Sequence, residues 1–490
     1  MSHGSPAFCQ GTIKSPEPLP SFNMYEIPEY FRPLGSTGLS CHPLGFGCYR
    51  VEEGNLEHEA ALRLYLDRGG NLIDTSANYT NGLSEILVGK VVRDYRREQV
   101  IVVTKAGYIQ GQNMELARSR TFPEVVPYGA GIWHCIHPEF LETQIELSRE
   151  RLQLDGVDVF LLHNPEYFLN HQSHHKAIDA SDHEEFYRRI REAFRFLEEK
   201  VREGQIHWYG ISSNNYGLPL IDPTMMSVSR CLGEAEALSP DHHFRVVQLP
   251  LNLAESGGAL EPSNDGRTVL RFCQQQGLAV LANRPLNAFL NGRLIRLADF
   301  APSGFKPPGK KELLELLEPL QQHERKLADK AQAISKDGRS AGLAQMLEQM
   351  VPQARSLEHW DLLMGRYVIP PLKRWIADSS QKNSNNVVWQ QWLDKFFHLI
   401  NANFEAVERY IQSQQQPVSD RIRQHLLDSG YPPTSHSLSQ IAMGILLNLN
   451  ELSCVLTGMR RPSYVSDTLE SICTPRVDAL KAFELFKSFS

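Results

Sequence analysis

The chain has 490 residues, of which 41% are hydrophobic, and a formal net charge of -7. This length predicts a large core domain with either a second domain or a big insertion. The net negative charge argues against strong sequence-independent binding to nucleic acid, because such binding needs clustered Lys and Arg. No apolar run approaches the ~20 residues of a membrane-spanning helix, and the N-terminus lacks a basic segment leading into an apolar one. We therefore expect a soluble, cytoplasmic protein.

The eight cysteines are scattered along the chain, and no two of them form a CxxC pair. Paired spacing would be typical of a zinc site or a redox motif. Reduced thiols in a cytosolic compartment are therefore the simplest interpretation. The residues are Cys9, Cys41, Cys48, Cys135, Cys231, Cys273, Cys454 and Cys473.

Residues 1–28 are rich in Pro, Ser and Gly and show little apolar periodicity, which predicts a flexible leader. In the segment that follows, Gly35 and Gly38 bracket a turn between two short apolar segments. This pattern predicts an N-terminal β-hairpin that runs into a first strand near Gly47.

Short apolar runs then alternate with amphipathic helical patterns. Repeated strand-then-helix order implies a parallel sheet with right-handed crossovers, and eight strands indicate a closed (β/α)8 TIM barrel of the α/β class. We place the first part of this barrel at residues 29–288 and the last part at 434–490. The pattern Ser181-Asp-His-Glu184 predicts the capped start of a long helix. The predicted strands after the first are Leu72–Asp74, Val100–Thr104, Val159–Leu162, Trp208–Ser213, Val246–Pro250, Ala279–Asn283 and Cys454–Thr457.

Residues 289–433 show a different pattern, in which strand-like runs vanish and Glu, Gln, Leu, Lys and Ala dominate. We interpret this stretch as an all-helical insertion, far longer than an ordinary barrel loop. Its aromatic residues leave several roles open: a surface that binds a protein partner, an oligomer contact, a lid over the active site, or simply the insertion's own core. These residues are Trp360, Trp375, Trp389, Trp392, Phe396 and Phe397.

Four titratable residues, Asp74, Tyr79, Lys105 and His163, stand at or just past three predicted strand ends. In a (β/α)8 barrel these ends gather on the face that carries the chemistry. An ammonium near a phenol favours the phenolate, so Lys105 would lower the pKa of Tyr79, while Asp74 would keep Lys105 charged. His163 offers a ring N–H that could orient a carbonyl oxygen beside the phenol. The set suits reduction of an aldehyde or ketone, in which hydride reaches carbon and the oxygen is protonated.

Each of the four residues also has an ordinary structural explanation. An aspartate at a strand end commonly caps a loop, a lysine is usually solvated, a tyrosine is often a core aromatic, and a histidine can simply bond to backbone. Their joint position at neighbouring strand ends favours the catalytic interpretation.

These segments together resemble the aldo-keto reductase family. The likeness covers roughly residues 30–288 and 434–490. It rests on Asp-Thr-Ser-Ala-Asn-Tyr at 74–79, Val-Thr-Lys at 103–105, Leu-Leu-His-Asn-Pro-Glu at 161–166, Gly-Ile-Ser-Ser-Asn at 210–214, Val-Gln-Leu-Pro-Leu-Asn at 247–252, Arg-Pro-Leu at 284–286 and Thr-Gly-Met-Arg-Arg-Pro at 457–462.

The resemblance implies an NADP-dependent oxidoreductase that reduces an aldehyde or ketone, or oxidises the corresponding alcohol or sugar. Tyr79 would be the general acid, supported by Lys105, Asp74 and His163. The dinucleotide would lie extended across the barrel mouth without a Rossmann glycine-rich loop. The alternative function is a cofactor-bound interaction module whose helical insertion binds a protein partner.

By the same likeness, Arg460 and Arg461 stand where the family often grips a 2′-phosphate, so NADP is favoured over NAD. A solvated arginine pair at a helix start is the alternative. Arg284, Tyr464 and Thr468 depart from the residues common in the family at their positions. The resemblance assigns Ser212, Ser213, Asn214 and Gln248 to the nicotinamide carboxamide, Arg284, Pro285 and Leu286 to the pyrophosphate, and Gly458, Arg460, Arg461, Tyr464 and Thr468 to the adenosine end.

We expect Tyr49 and Trp133 to form aromatic walls of a substrate pocket, although packing at the barrel end explains them almost as well. Histidines also cluster near His134 and near His174. Neither group has the paired spacing of a known zinc site, so we expect no metal.

Overall fold

The computed structural model describes residues 30–290, 293–301, 308–331, 342–354, 356–383 and 386–489. The leader predicted at residues 1–28 lies outside these ranges. None of the helices in the described ranges combines the length and the apolar character that crossing a bilayer requires.

Eight parallel strands close into a barrel, which confirms the predicted (β/α)8 fold. Each strand pairs in parallel with the next one along the chain, and the last pairs with the first. The strands are β1 Leu44–Gly47, β2 Leu72–Asp74, β3 Ile101–Ala106, β4 Val157–His163, β5 Ile206–Ser212, β6 Phe244–Pro250, β7 Ala279–Asn283 and β8 Cys454–Gly458.

The interior of the barrel is filled by residues two apart on the same strand, as the pleat of a strand requires. Parallel strands in this fold are buried on both faces, so their sequences are almost continuously apolar. Examples are Ile101 and Val103 on β3, Val159 and Leu161 on β4, Ala279 and Leu281 on β7, and Cys454 and Leu456 on β8.

One helix follows each barrel strand. The helices are α1 Leu56–Asp67, α2 Leu83–Val92, α3 Pro138–Leu152, α4 Ala180–Arg202, α5 Val228–Glu236, α6 Val269–Gln275, α7 Leu438–Leu447 and α8 Pro462–Glu470. Further short helices of this part of the chain are Gln112–Ser119, Tyr167–Ser173, Gly257–Leu260 and Ala479–Phe486.

The start of α4 differs from the predicted one. Asp179 is the N-cap residue, and its carboxylate accepts hydrogen bonds from the backbone N–H groups of Ser181 and Asp182, while Asp182 accepts from the backbone of Asp179. A carboxylate also interacts favourably with the positive end of the helix dipole. The predicted cap at Ser181 is therefore wrong by two residues.

The N-terminal hairpin pairs Arg32–Pro33 with Ser40–Cys41 and confirms the prediction. Its turn places Leu34 in the barrel core with no exposed surface. Gly35 has a left-handed backbone (φ 56°), and a side chain there would overlap the backbone at Ala279. Glycine is the residue that tolerates both conditions.

The connection from β3 to α3 contains secondary structure of its own. Three short strands, Tyr108–Ile109, Val126–Gly129 and Ile132–His134, form an antiparallel sheet. This sheet and the helix Gln112–Ser119 share a small apolar cluster that includes Phe122 and Cys135.

The chain divides into two compact units, Met1–Leu297 with His425–Ser490, and Ala298–Gln424. The first unit contains the barrel and a hairpin of Asn287–Leu290 paired with Arg293–Arg296. This hairpin stands where the sequence indicates only helix. The predicted domain boundaries at 288/289 and 433/434 remain predictions.

The second unit is helical and has its own core. Its buried side chains include Trp360 and Phe396, which are 1% and 0% exposed. Trp375 and Trp392 pack against this core. The helices are Lys310–Ala331, Leu343–Met350, Leu357–Leu363, Ile369–Lys382 and Val387–Asp428, the last of which ends in the first unit.

Six cysteines are buried free thiols, namely Cys41, Cys48, Cys135, Cys231, Cys273 and Cys454. Cys473 is disulfide-bonded, so the expectation that every thiol is reduced is wrong at this residue.

Candidate active site

Lys105 lies at the carboxyl end of β3 with no exposed surface. Its ammonium donates hydrogen bonds to Asp74 Oδ2 at 2.7 Å, to the Thr75 carbonyl oxygen at 2.7 Å and to the Tyr79 hydroxyl at 3.3 Å. Burial alone would lower the pKa of Lys105, but the charges and hydrogen bonds of Asp74 and Tyr79 raise it above its ordinary value. The ammonium therefore stays charged inside the barrel mouth.

Asp74 closes β2, and both of its carboxylate oxygens have partners. Oδ2 accepts from Lys105, and Oδ1 accepts from the side-chain amide of Gln248 at 2.8 Å. The oxygen of that amide accepts from Ser212 at 2.8 Å and from Asn283 at 3.3 Å. A chain of hydrogen bonds thus links the ends of β2, β5, β6 and β7 and fixes the carboxylate beside the ammonium.

Tyr79 follows β2 in a short turn of Tyr79–Gly82, in which Thr80 and Asn81 adopt left-handed backbone angles (φ 46° and 56°). The turn presents the phenol to Lys105, and the ring of Tyr49 packs edge-on against it at 5.4 Å between centroids. Burial raises the pKa of Tyr79, and the nearby Lys105 only partly offsets this effect. The expected lowering of this pKa is therefore wrong, and the phenol is protonated at neutral pH.

His163 closes β4 and is buried beside Tyr79, with the two ring centroids 5.9 Å apart. Its Nδ1 lies 3.0 Å from the Ser76 hydroxyl, and its ring contacts that of Tyr108 at 4.7 Å. Burial, and then the positive charge of Lys105, lower the pKa of His163 well below its ordinary value. The imidazole is therefore neutral.

The structure brings the four predicted catalytic residues together at one end of the barrel. It also shows two close neighbours that the sequence did not single out for this site. Tyr108 accepts a hydrogen bond from Asn164 at 2.6 Å, and His134 Nε2 donates to the backbone oxygen of His163 at 2.7 Å. Burial lowers the pKa of His134 to about 4, so it serves as a neutral donor. The predicted strand end at His163 gave no signal for these partners, because they come from the sheet after β3.

The loop after β5 contains Ser213 and Asn214. The backbone N–H of Asn214 donates to Glu166 Oε1 at 2.9 Å, while Glu166 Oε2 is buried without a hydrogen-bond partner in the described part of the chain. Burial raises the pKa of Glu166 to about 7. A buried carboxylate therefore supports the loop that the sequence assigns to the carboxamide.

The segment after β7 is held by an ion pair. Arg284 has a left-handed backbone (φ 53°), and its guanidinium donates to Glu255 Oε1 at 2.7 Å. Asn252 bonds both to Glu255, at 2.8 Å, and to the carbonyl oxygen of Arg284, at 3.1 Å. Pro285 and Leu286 are buried behind it. Within the described residues, Arg284 Nε and Asn283 Oδ1 are buried polar atoms that lack a hydrogen-bond partner.

The residues that the resemblance assigns to the adenosine end lie at the end of β8 and in α8. Gly458 is exposed, and a side chain there would meet nothing within 4 Å. Arg461 is the N-cap of α8, without a side-chain capping bond, and its own side chain is 51% exposed. Arg460 precedes it, Tyr464 is exposed one turn on, and Thr468 is buried. Uncapped helix N–H groups beside guanidinium groups are a favourable place for a phosphate.

The two residues predicted as substrate walls lie in different surroundings. Tyr49 is 60% exposed and contacts the ring of Tyr79. Trp133 lies on the strand Ile132–His134 and packs against the apolar cluster around Phe122. In the described ranges, no group of three or more His, Cys, Asp or Glu side chains has the geometry of a metal site.

The chain is similar to known proteins of one family. The model of the family described as "Aldo/keto reductase family" matches residues 43–347. The NADH-specific methylglyoxal reductase of Escherichia coli strain K12 is 24% identical over 281 residues, which are 56% of this chain and 72% of that protein. The D-threo-aldose 1-dehydrogenase of a Pseudomonas species is 32% identical over 150 residues, 27% of this chain and 42% of that protein.

Among solved structures, the holo form of an aldo-keto reductase from Bacillus halodurans is 16% identical and covers 93% of this chain and 95% of that one, with a TM-score of 0.46. An aldo/keto reductase from Klebsiella pneumoniae, solved with NADP and acetate, is 22% identical over 52% of this chain and 68% of that one, with a TM-score of 0.35. Because the family model covers more than half of the chain, the protein belongs to the aldo-keto reductase family of oxidoreductases.

Proposed function

We propose that the protein is an NADP-dependent oxidoreductase that reduces a small aldehyde or ketone, or oxidises the corresponding alcohol or sugar in the reverse direction, with Tyr79 as general acid. The observation that carries this proposal is the contact of 3.3 Å between the Lys105 ammonium and the Tyr79 hydroxyl, inside a site that Asp74 neutralises. A cytoplasmic location stays a prediction: six described cysteines are free thiols, whereas Cys473 is disulfide-bonded.

The phenol of Tyr79 donates the proton, and the ammonium of Lys105 assists this transfer. Since its pKa is raised, Tyr79 holds its proton at neutral pH and can release it only to a strong acceptor. A carbonyl oxygen becomes such an acceptor as hydride reaches its carbon. The hydrogen bond from Lys105 then stabilises the phenolate that forms, and Asp74 keeps the ammonium charged throughout.

A bound nicotinamide would supply the hydride. Ser213, Asn214 and the unpartnered Asn283 Oδ1 are the groups that we propose for its polar contacts, and Ser212 and Gln248 stand behind them in the network of Asp74. These groups lie at the ends of β5, β6 and β7, on the same face of the barrel as Tyr79, which supports our proposal that the nicotinamide binds next to the phenol.

At the far end, we propose that Arg460 and Arg461 bind the phosphate of NADP at the start of α8. The fit rests on the open space at Gly458 and on the uncapped helix N-terminus. The Escherichia coli relative is named as NADH-specific, so NAD is the alternative.

The names of two relatives also indicate a class of substrate. Methylglyoxal and an aldose are both small carbonyl compounds or their hydroxylated relatives. We propose a substrate of this size, with Tyr49 as an aromatic wall beside the phenol. A wall role for Trp133 stays a prediction, since its ring packs against the cluster around Phe122.

The test is a screen of aldehydes, ketones and sugars with NADPH and NADH, read at the nicotinamide absorbance. We expect turnover of at least one carbonyl compound, with kcat/KM for NADPH above that for NADH. Absence of turnover with both cofactors across the panel would count against the proposed activity.

Protein binding by residues 289–433 stays a prediction. Of the aromatic residues that motivated it, Trp360, Trp389 and Phe396 are buried, and Trp375 and Trp392 pack against the core of the helical unit. These side chains serve the unit's own packing, so they do not favour a second function.

A further inference from the structure

An ion pair between Glu57 and Arg461 joins the first and the last helix of the barrel. Strands β1 and β8 are neighbours, so the helices that follow them, α1 and α8, pack side by side and both begin at the barrel mouth. Glu57 stands in the first turn of α1, and Arg461 is the N-cap residue of α8. The two side chains meet with Glu57 Oε2 at 3.6 Å from Arg461 Nε.

This ion pair is open to solvent. The side chain of Glu57 is 54% exposed, and that of Arg461 is 51% exposed. Exposed ion pairs contribute little to stability, because water screens the charges and two long side chains must be ordered. A ligand that offers the Arg461 guanidinium a stronger anionic partner can therefore open the pair.

The backbone of α1 fixes where the carboxylate of Glu57 lies. Asn55 Oδ1 accepts hydrogen bonds from the backbone N–H groups of Glu57 at 3.0 Å and of His58 at 3.3 Å, which sets the start of the helix. A carboxylate in the first turn also interacts favourably with the helix dipole. The negative charge therefore stays close to the start of α8 even when the ion pair opens.

The buried imidazole of His58 is affected by charges on both sides of this contact. Burial lowers the pKa of His58, and the charge of Arg460 lowers it further, while the carboxylates of Glu52 and Glu57 oppose the shift. The arginines at the start of α8 and the carboxylates around the start of α1 therefore lie within electrostatic range of each other.

We propose that Glu57 is a specificity-determining residue for the cofactor, because its carboxylate competes with the 2′-phosphate of NADP for Arg461 and so weakens the binding of NADP but not of NAD. The preference for NADP is then smaller than Arg460 and Arg461 alone would produce. This inference rests on the proposed binding of the adenosine end of a dinucleotide at α8.

The two cofactors differ in charge at the place where Glu57 acts. A phosphate monoester carries about 1.5–2 negative charges at pH 7, and a guanidinium binds it through short, charge-assisted hydrogen bonds. Arg461 can make these bonds only after Glu57 has released it, and the carboxylate then repels the phosphate. NAD has an uncharged hydroxyl at the same position, so the ion pair can stay closed.

Glu57→Gln separates these effects, because it keeps the size of the side chain and removes its charge. Since the pair is exposed, its loss should shift a binding equilibrium by a few-fold. We expect the Kd for NADPH to fall by about three- to fivefold at low ionic strength, and the Kd for NADH to change by less than about 1.5-fold. Fluorescence titration of the full-length protein measures both constants without any turnover.

Glu59→Gln is the matched control. It removes the same charge from the same helix, but the carboxylate of Glu59 pairs with Arg63 at 3.0 Å and with Lys90 at 2.8 Å instead of with Arg461. Both dissociation constants should stay within about 1.5-fold of the native values. An unchanged Kd for NADPH in Glu57→Gln, or an equal change in the two variants, would overturn the proposal.

The dependence on Arg461 is tested by a double-mutant cycle. Arg461→Gln should weaken NADPH by about tenfold, the effect of one charge-assisted contact. In this background, Glu57→Gln should change the Kd for NADPH by less than about twofold, because there is no guanidinium left to compete for. A gain as large as in the native background would show that Glu57 does not act through Arg461.

Salt distinguishes a charge effect from a packing effect. In 1 M KCl the gain of Glu57→Gln for NADPH should fall below about twofold, because exposed charges are screened over about 3 Å. An unchanged gain would mean that the side chain acts by its shape, and it would overturn the proposal. Failure of the native protein to bind either NADPH or NADH would instead contradict the proposed function itself.

Discussion

The ammonium of Lys105 has no contact with solvent and is nevertheless charged. Moving such an ion out of water costs several kcal/mol, and three oxygen atoms within 3.3 Å offset that cost. The carboxylate of Asp74 supplies the opposite charge, and the other two oxygens direct the remaining hydrogens. The same atoms that stabilise the buried ion therefore aim it at the Tyr79 phenol.

Lys105→Met should lower the free energy of unfolding by about 3–5 kcal/mol, because it leaves the Asp74 carboxylate buried without its cation. The double variant Lys105→Met with Asp74→Asn removes both charges and should recover at least half of that loss. Carbonyl turnover should stay lost in both. Chemical denaturation and steady-state kinetics measure the two effects, and a single variant as stable as the native protein would show that the pair is not coupled.

Glu166 makes stability depend on pH in the opposite sense to a surface carboxylate. Its pKa of about 7 in the folded protein lies above its ordinary value of 4.5, so the folded protein holds a proton that the unfolded chain has lost. The contribution of the Glu166 side chain to the free energy of unfolding is fully present below pH 4.5 and is lost as the pH rises through 7. Glu166→Gln removes this titration.

We expect the free energy of unfolding of Glu166→Gln, relative to the native protein, to rise by about 2 kcal/mol between pH 5 and pH 8. Urea denaturation at the two pH values tests this. Parallel pH profiles of the two proteins would show that Glu166 ionises normally.

The catalytic residues could be predicted from sequence because each lies at or just after an apolar strand. Asp74, Lys105 and His163 close β2, β3 and β4. Their supporting contacts could not be predicted. Gln248 is 174 positions from Asp74, and only the closure of the barrel brings the two together.

At the scale of elements, barrel strands were predictable and irregular connections were not. The strand Ala279–Asn283 has the predicted bounds, since its ladder is buried and its sequence is apolar throughout. The hairpin Asn287–Leu290 with Arg293–Arg296 was missed, because its four-residue strands mix apolar with polar residues. The helix Val387–Asp428 continues through Pro417.

The pairing of β5 with β6 depends on a glycine. A side chain at Gly210 would overlap the Val246 carbonyl oxygen, which belongs to the neighbouring backbone and cannot rotate away. Gly210→Ala should therefore lower the free energy of unfolding by more than about 3 kcal/mol. Gly233→Ala on α5 is the control, because a side chain there meets nothing within 4 Å, and it should stabilise by about 0.5–1 kcal/mol. Equal stabilities of the two variants in urea would contradict this account of the barrel.

At the scale of the whole molecule, the chain contains two units with separate hydrophobic cores. Length and the change of pattern near residue 289 predicted such a division, since a strand-helix alternation gives way to helix alone. The boundaries between the two compact units lie at 297/298 and 424/425. These positions follow from packing between distant segments, which a single sequence does not display.

The helical unit provides its own test. Phe396 is fully buried and packs on Trp375 and Trp392, whereas the next residue, Phe397, is 39% exposed. Phe396→Ala should destabilise this unit by about 3–5 kcal/mol, and Phe397→Ala by less than about 1 kcal/mol. Hydrogen exchange of the amides in the helix Val387–Asp428 reports both changes. Similar exchange in the two variants would show that the core is not packed as described.

The central claim concerns the phenol of Tyr79, and Tyr79→Phe tests it most directly. Phenylalanine keeps the ring that packs on Tyr49 and His163 and removes only the hydroxyl that contacts Lys105. We expect kcat/KM for carbonyl reduction to fall by about 10²–10⁴-fold, while the Kd for NADPH, measured by fluorescence titration, changes less than about twofold. Turnover within a few-fold of the native enzyme would contradict the assignment of Tyr79 as the proton donor.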